Sequence, residues 1–545
     1  MNDLAIEIPV TGMVCDDCAA RIQRPLEVLP GPRAHVSYPE GAAFIGSLGS
    51  AAVPQVVAAI EGAGFGAALP ARARREENRS RALHVAIVGG GSAAFACAIR
   101  AAERGARVTI IERHAVIGGT CINVGCVPSK ILIRAAQEAR TQAAPRFRGI
   151  LPSAPTIDRE ALIAQQQARV TGLRQAKYLD IVTNNSAMTL KRAHARFVDS
   201  HTLSLTDASG HEERLEADRL LIAVGASPAI PDVPGLMETP FWTSSIALTA
   251  TETPRHLLVL GASAVALELA QAFRRLGSEV TVVARGSLLS REDPDLGVGL
   301  QPIFEQEGIR VFTDTAVTNV RHETGGFTLT TSRGPVTGDR LLVAAGVKPN
   351  TDELGLASAG VGMDAEGAIM VDDHLRTNVP HVYAAGDCST LPRFVYVAAA
   401  AGTRAAMNMT GADARLDLDV LPVVVFTDPQ VASVGLTEET ARAQGLGVDV
   451  RTLGLENVPR ALANFDTRGF IKLVAERPSG RLIGAQILAP DAGEIIQSAA
   501  IAMSRRMTVG DLADQFFPYL TLVEGLKLCA QTFTKDIKQL SCCAG

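Results

Sequence analysis

The sequence predicts an α/β protein with two Rossmann-like nucleotide-binding domains, an α+β domain after them and a small domain before them. Two observations carry this. A strand, a glycine turn, a helix and a second strand follow one another twice, from Val85 and again from Leu257. Residues 1–68 alternate short apolar runs with helical periodicity in the β-α-β-β-α-β order of a ferredoxin-like domain. The length of 545 residues agrees with this plan, since domains of roughly 150 residues would number three or four.

The first domain takes its strands from Ala5–Val10 and Ala43–Ile45 and its helices from Cys18–Leu29 and Val53–Glu61. Its Gly12-Met13-Val14-Cys15-Asp16-Asp17-Cys18 puts two thiols where a loop turns into a helix, so that both sulfurs can face one ion. A lone C-x-x-C also suits a thioredoxin-like site, but the Gly-Met and the domain plan favour metal. Residues 69–82 hold Arg72, Arg74, Arg75, Arg79 and Arg81 with almost nothing apolar. They read as a solvated linker before they read as a basic patch for a partner.

The first nucleotide unit runs from Val85–Val88 through Gly89-Gly90-Gly91-Ser92-Ala93-Ala94 and a helix to Arg104, then Val108–Glu112. Gly89 and Gly91 let backbone approach a pyrophosphate at a helix N-terminus, and Glu112 ends the next strand where a carboxylate can bind a ribose hydroxyl. The second unit runs from Leu257–Leu260 through Gly261-Ala262-Ser263-Ala264-Val265-Ala266 and a helix to Leu276, then Val280–Val283. It keeps only the first glycine. Ala284 stands where the ribose carboxylate would be, and Arg285 and Arg291 follow. Guanidinium groups in place of an acid favour a 2′-phosphate, hence NADPH over NADH. From Leu421 onward, strands (Val423–Phe426, Phe470–Val474, Leu482–Leu488) mix with helices (Ala492–Met503, Val523–Phe533).

Composition removes several classes. Lys plus Arg is 52 against 57 for Asp plus Glu, a net charge of -5, which is unlike a nucleic-acid binder. Residues 1–9 carry acids and no base, unlike a secretory signal. The longest uncharged run, Gly41–Ile60, is broken by Gly46, Gly49 and Pro54, so no membrane span or stable membrane association is expected. The expected location is the cytoplasm, where spaced cysteines mean redox chemistry or metal more often than bridges. Of nine cysteines, six form close pairs: Cys15/Cys18, Cys121/Cys126 and Cys542/Cys543. Cys97, Cys388 and Cys529 stand alone and read as buried packing residues.

The most specific segment is Gly118-Gly119-Thr120-Cys121-Ile122-Asn123-Val124-Gly125-Cys126-Val127-Pro128-Ser129-Lys130. Two cysteines separated by four residues at a helix start can form a disulfide across one turn, and the helix dipole lowers thiolate pKa there. With Tyr383-Ala384-Ala385-Gly386-Asp387, Ala345-Gly346-Val347-Lys348-Pro349-Asn350 and Ala223-Val224-Gly225, this string resembles the flavin-dependent pyridine nucleotide–disulfide oxidoreductases over residues 83–545. Val347, Lys348 and Val224 depart from the family wording without touching a reacting group.

The resemblance implies a homodimeric enzyme with FAD and NADPH as cofactors. Residues 83–235 and 356–420 would bind FAD, 236–355 NADPH, and 421–545 would form the dimerisation domain. Cys126 would lie against the flavin and Cys121 would exchange with substrate. Lys130 would sit near the flavin N5, paired with Glu268. Asp387 would meet the ribityl chain, while Ala94, Ala115, Gly119, Thr120, Ala195 and Val395 would line FAD. In the second unit Gly261 and Ser263 would contact NADPH.

Disulfide reductases of the family carry a histidine in a C-terminal His-Pro-Thr-x-x-Glu, which protonates the leaving thiolate. The matching stretch here is Tyr519-Leu520-Thr521-Leu522-Val523-Glu524. Tyrosine, with a pKa near 10, is a poor proton shuttle at neutral pH. The chain ends Ser541-Cys542-Cys543-Ala544-Gly545, and adjacent thiolates select soft metals. Tail and Tyr519 together resemble the mercury(II)-reducing branch of the family. That branch takes Hg(II) as a thiol complex. The tail of one subunit passes it to the Cys121/Cys126 pair of the other, where Tyr178, on the helical stretch Ile157–Leu179, belongs to the metal site. Cys15-Asp16-Asp17-Cys18 after Gly-Met resembles a heavy-metal-associated domain, an optional first station. The rivals are a disulfide or dihydrolipoyl reductase, which Tyr519 speaks against, and a metal-sequestering protein with a vestigial flavin core. The intact redox segment, Lys130 and Asp387 speak against the second rival.

Overall fold

The computed structural model describes residues 6–29, 33–46, 53–67 and 82–537. The expected linker, apart from Ala82, and Cys542 and Cys543 lie outside the described residues. The chain divides into two compact units: a small one through His84 that also takes in Gly105–Arg107, and a large one made of the rest.

In the small unit, strand Ile6–Thr11, helix Asp16–Glu27, strands Arg33–Ser37 and Ala42–Gly46, helix Val53–Gly62 and strand Gly66–Ala67 follow in order. The sheet order is second, third, first, fourth strand, with antiparallel neighbours. Ile22 and Leu26 of one helix and Val56 and Ile60 of the other are fully buried with Ile8 and Ile45 of the sheet. Their spacing of four puts each pair on one helix face, and that apolar stripe is why the helices cover the sheet.

The large unit has three principal sheets. The first is fully parallel, in the order Val382–Ala384, Arg219–Ile222, His84–Val88, Arg107–Glu112, Met188–Arg192. The second is also parallel, in the order Ile309–Phe312, Glu279–Val283, His256–Leu260, Arg340–Val343. The third is antiparallel, in the order Val423–Val425, Gln430–Gly435, Leu482–Ala489, Phe470–Glu476, Val448–Gly454. In the parallel sheets strand His84–Val88 is buried throughout and strand His256–Leu260 at every residue after His256, as sheets covered on both faces require. Helix Ser92–Glu103 packs on helix Val395–Met409 so closely that a Cβ on Gly402 would lie 2.1 Å from the Ala93 carbonyl oxygen.

The lone glycine of the second turn has a structural reason. Gly261 has φ +129°, and a Cβ there would lie 2.4 Å from the Ala344 carbonyl oxygen at the end of the neighbouring strand. Gly89 of the first turn is built the same way, with φ +114° and the Ala223 oxygen at 2.2 Å. Ser263, which replaces the second glycine, caps its helix in an extended conformation open to any side chain. Only the first glycine is demanded by the fold.

Among the described residues no helix is long and apolar enough to cross a membrane. Cys97, Cys388 and Cys529 are each fully buried, as expected of packing residues.

Candidate active site

The redox segment is not one helix. Cys121 sits in a short helix, Gly119–Asn123, and Cys126 opens a longer one, Cys126–Ala143. Gly125 lies between them, and a Cβ there would come within 2.9 Å of the Thr120 carbonyl oxygen and 3.2 Å of Cys121 Cα. The close approach of the two helices therefore requires glycine, and it brings the two sulfurs together. Both are thiols, Cys121 half-buried and Cys126 exposed. Their side chains hydrogen-bond to each other. That bond, seconded by the Lys130 charge, pulls the Cys126 thiol down to about 7 against the effect of burial. The same bond and burial push Cys121 up. Cys126 is thus the sulfur held as thiolate near neutral pH.

Lys130 is four residues beyond Cys126 and on the same helix face. Its Nζ donates to Glu268 Oε2 at 2.8 Å, from a helix of the second nucleotide unit. Glu268 is 5% exposed, and its other oxygen accepts the Phe426 N–H at 2.9 Å. The Phe426 ring faces Lys130 Nζ at 4.4 Å from the ring centroid. The expected pair is brought together, and Phe426 is an addition that sequence reasoning missed. No local signal reveals it, because it lies 158 residues from Glu268.

Tyr178 lies in a π-helical turn, Gln175–Leu179, that interrupts the helical stretch after Arg174. Its ring meets Phe95 edge-on at 4.6 Å, and its hydroxyl hydrogen-bonds to Ser92. Burial raises the pKa of its hydroxyl, and the two redox sulfurs are close enough to add to that rise. Asn123 locks this side of the site. Its amide donates to the carbonyls of Ile117 and Gly119 at 2.9 Å each, and its oxygen accepts from Arg174 at 3.0 Å.

The fit to a dinucleotide can be read from the turns. A Cβ on Gly119, with φ +67°, would lie 2.7 Å from Gly91 Cα. The glycine turn and the Cys121 helix therefore meet backbone to backbone, in a cradle that side chains would fill. Glu112 is buried beneath this turn, accepting the His114 N–H at 2.8 Å. Asp387 is half-buried, raised in pKa by burial, and accepts no hydrogen bond among the described residues. A carboxylate kept so awaits a donor such as a ribityl hydroxyl. Ala94 and Ala195 are buried, while Ala115 and Thr120 are exposed, and Val395 opens the helix Val395–Met409. Arg285 and Arg291 are exposed and form no ion pair among the described residues, as free phosphate ligands would be.

Tyr519 is 55% exposed, beside a fully exposed Phe516. In the small unit the Cys15 and Cys18 sulfurs are 3.5 Å apart, with Cys15 immediately before helix Asp16–Glu27. The Cys18 thiol is lowered in pKa, first by a backbone hydrogen bond at Val14 and then by Cys15.

Comparison with known proteins agrees with this geometry. Residues 83–402 match the pyridine nucleotide-disulphide oxidoreductase family, and residues 421–530 match its dimerisation domain. The mercuric reductase of Acidithiobacillus ferrooxidans is 54% identical over 541 residues, 99% of either chain. That of Shigella flexneri is 52% identical over 99% of this chain and all of its own. Among solved structures, the Cu(II) complex of the HOCl-induced flavoprotein disulfide reductase RclA from Escherichia coli superposes with a TM-score of 0.74. It is 29% identical, over 83% of this chain and all of that one. A paired thiol beside a glycine cradle, in a chain of this likeness over its whole length, places the protein among the mercuric reductases of the pyridine nucleotide-disulphide oxidoreductase family.

Proposed function

We propose that the chain reduces Hg(II) to elemental mercury with NADPH, through FAD and the Cys121/Cys126 pair. The carrying observation is the joint placement of that pair and the cradle: Cys121 and Gly119 share one short helix, and Gly119 backs onto Gly91. The balance is NADPH plus Hg(II) giving NADP⁺, H⁺ and Hg(0), two electrons from one hydride. Bound FAD and NADPH supply those electrons.

The protein's own residues hold the metal and set its charge environment. Cys126, lowered towards neutrality, offers a thiolate that a soft ion prefers. Cys121 completes a two-sulfur site, and each transfer onto it is an exchange of thiolates that never leaves the ion unligated. Lys130, anchored on Glu268, keeps positive charge beside Cys126. Tyr178, held by Phe95 and Ser92, stands close to both sulfurs. Arg285 and Arg291 take the 2′-phosphate of NADPH; residues 83–235 and 356–420 bind FAD.

The dimerisation domain supports a homodimer. In our reading Cys542 and Cys543 of one subunit collect Hg(II) from external thiols and exchange it onto the Cys121/Cys126 pair of the other. Residues 1–68 form a ferredoxin-like, heavy-metal-associated module whose Cys15/Cys18 pair is an optional first station.

The test is anaerobic NADPH oxidation with Hg(II) and excess thiol. Metal-dependent turnover is expected; its absence, or faster turnover with a disulfide, overturns the reading. For the relay, replacing both Cys542 and Cys543 by alanine is expected to abolish turnover of thiol-bound Hg(II), whereas replacing Cys15 and Cys18 changes little. The reverse ranking reverses the relay.

A further inference from the structure

We propose that Phe426 is a positioning residue of the active site, holding the Lys130 ammonium in place by two routes at once. It rests on the reading that the flavin lies against Cys126 and Lys130. The ring contacts the ammonium directly, with Nζ 4.4 Å from the centroid. The Phe426 backbone acts through Glu268: its N–H donates to Oε1 at 2.9 Å, which leaves Oε2 aimed at Lys130, 2.8 Å away.

The geometry makes both routes necessary. The Lys130 side chain is 36% exposed, so water competes for the ammonium. A lysine head is a strongly hydrated point charge on a four-carbon stem, and one carboxylate oxygen fixes its distance without fixing its direction. A ring face supplies a second, directional attraction that water does not satisfy. Because Lys130 stands four residues after Cys126 on one helix face, the direction of the ammonium decides whether its charge lies over the thiol site or turns to solvent. Phe426 immediately follows strand Val423–Val425 of the antiparallel sheet. There the third domain meets Lys130 of the first nucleotide unit and Glu268 of the second.

The experiment uses the full-length, FAD-loaded enzyme with Phe426→Leu, which removes the ring face, and Phe426→Tyr, which keeps it. Two readouts need no mercury. One is the rate of flavin reduction by NADPH in stopped flow. The other is the long-wavelength absorbance of the reduced enzyme, at one fixed pH, that reports a thiolate against the flavin. Phe426→Leu is expected to slow flavin reduction about three- to tenfold, the range a partly desolvated cation–π contact supports, and to lower that absorbance by about half. Phe426→Tyr should stay within about twofold of the parent. Flavin content and urea unfolding check that each variant is folded; if Phe426→Leu is not, Phe426→Met serves in its place. A ring-less variant equal to the parent in both readouts, or a tyrosine variant as impaired as the leucine one, overturns the proposal. Parent enzyme that reduces its flavin normally but does not turn over Hg(II) would refute the substrate assignment and leave this one standing.

Discussion

At Cys126 the hydrogen bond to Cys121, the Lys130 charge and a backbone hydrogen bond lower the thiol, while desolvation and the Glu268 charge oppose them. The lowering influences win, and a thiolate rather than a thiol is what binds a soft metal. Replacing Cys121 or Cys126 by alanine is expected to cut mercury-dependent NADPH oxidation by about a hundredfold or more, since a nucleophile is lost outright. A variant that keeps more than a tenth of the parent rate would remove the pair from that role. The arginines after the second nucleotide strand allow a sharper test of cofactor choice. Arg285→Ala with Arg291→Ala should raise the KM for NADPH about 10- to 100-fold, what one or two charge-assisted hydrogen bonds are worth, and leave the KM for NADH nearly unchanged. Equal losses with both nucleotides would show that these side chains do not meet a 2′-phosphate.

At the scale of elements, backbone approach governs the site. The helix Gly119–Asn123 can touch the glycine turn at Gly91 because Gly119 has no side chain. Gly119→Ala would add a Cβ 2.7 Å from Gly91 Cα at φ +67°. The expected cost is about 1–3 kcal/mol in urea unfolding, with weakened retention of FAD. Gly149, whose Cβ would meet nothing within 4 Å, is the control, and Gly149→Ala should stay within about 0.5 kcal/mol. Equal effects at the two positions would refute the packing argument. The π-turn at Gln175–Leu179 is a second device of this scale. Its wider turn shifts the helix register at Tyr178, and such bulges occur often at functional sites.

Across the whole large unit, buried ion pairs join the sheets. Arg275 of the second nucleotide unit is 4% exposed and contacts Glu307 at 2.6 Å and Asp428 of the third domain at 2.9 Å. Lys472 of the antiparallel sheet contacts Asp293 at 2.9 Å and Asp295 at 2.7 Å. Removing the cation by Arg275→Met would leave Glu307 and Asp428 to Arg468, at 3.7 and 3.4 Å, and destabilisation of at most about 3–5 kcal/mol is expected. The network also has a pH signature. Burial alone would raise the Asp428 carboxyl, but the charges of Arg275 and Arg468 hold it below its ordinary 3.8. A lowered native pKa means that the unfolded chain takes up the proton first. The contribution is therefore complete above the ordinary value and is lost as pH falls through the native one. Urea unfolding of the parent should weaken over that acid window, and Asp428→Asn should flatten this dependence. An unchanged slope would show that the carboxyl is not held by these partners.

Local chemistry was legible in the sequence because it is written in contiguous residues: the redox segment and the two nucleotide turns. Glycine positions in a turn and apolar periodicity in a helix are imposed by the backbone within a few residues, so the strands around Val85 and Leu257 fall where the sequence placed them. That Cys121 and Cys126 fall on two successive helices was not legible, since the break at Gly125 follows from a close approach that periodicity does not record. Phe426, the Ser92 contact of Tyr178 and the Arg275–Asp428 pair came only with the tertiary structure. Each joins residues far apart in the chain, and which distant surfaces meet is decided by how the three sheets pack, a matter of volume and charge summed over the whole unit. The sequence by itself determined the paired-cysteine segment and the two glycine turns. The packed structure decided what holds the ammonium, and it gave Cys126 rather than Cys121 the thiolate, because that choice depends on which neighbours stand around each sulfur.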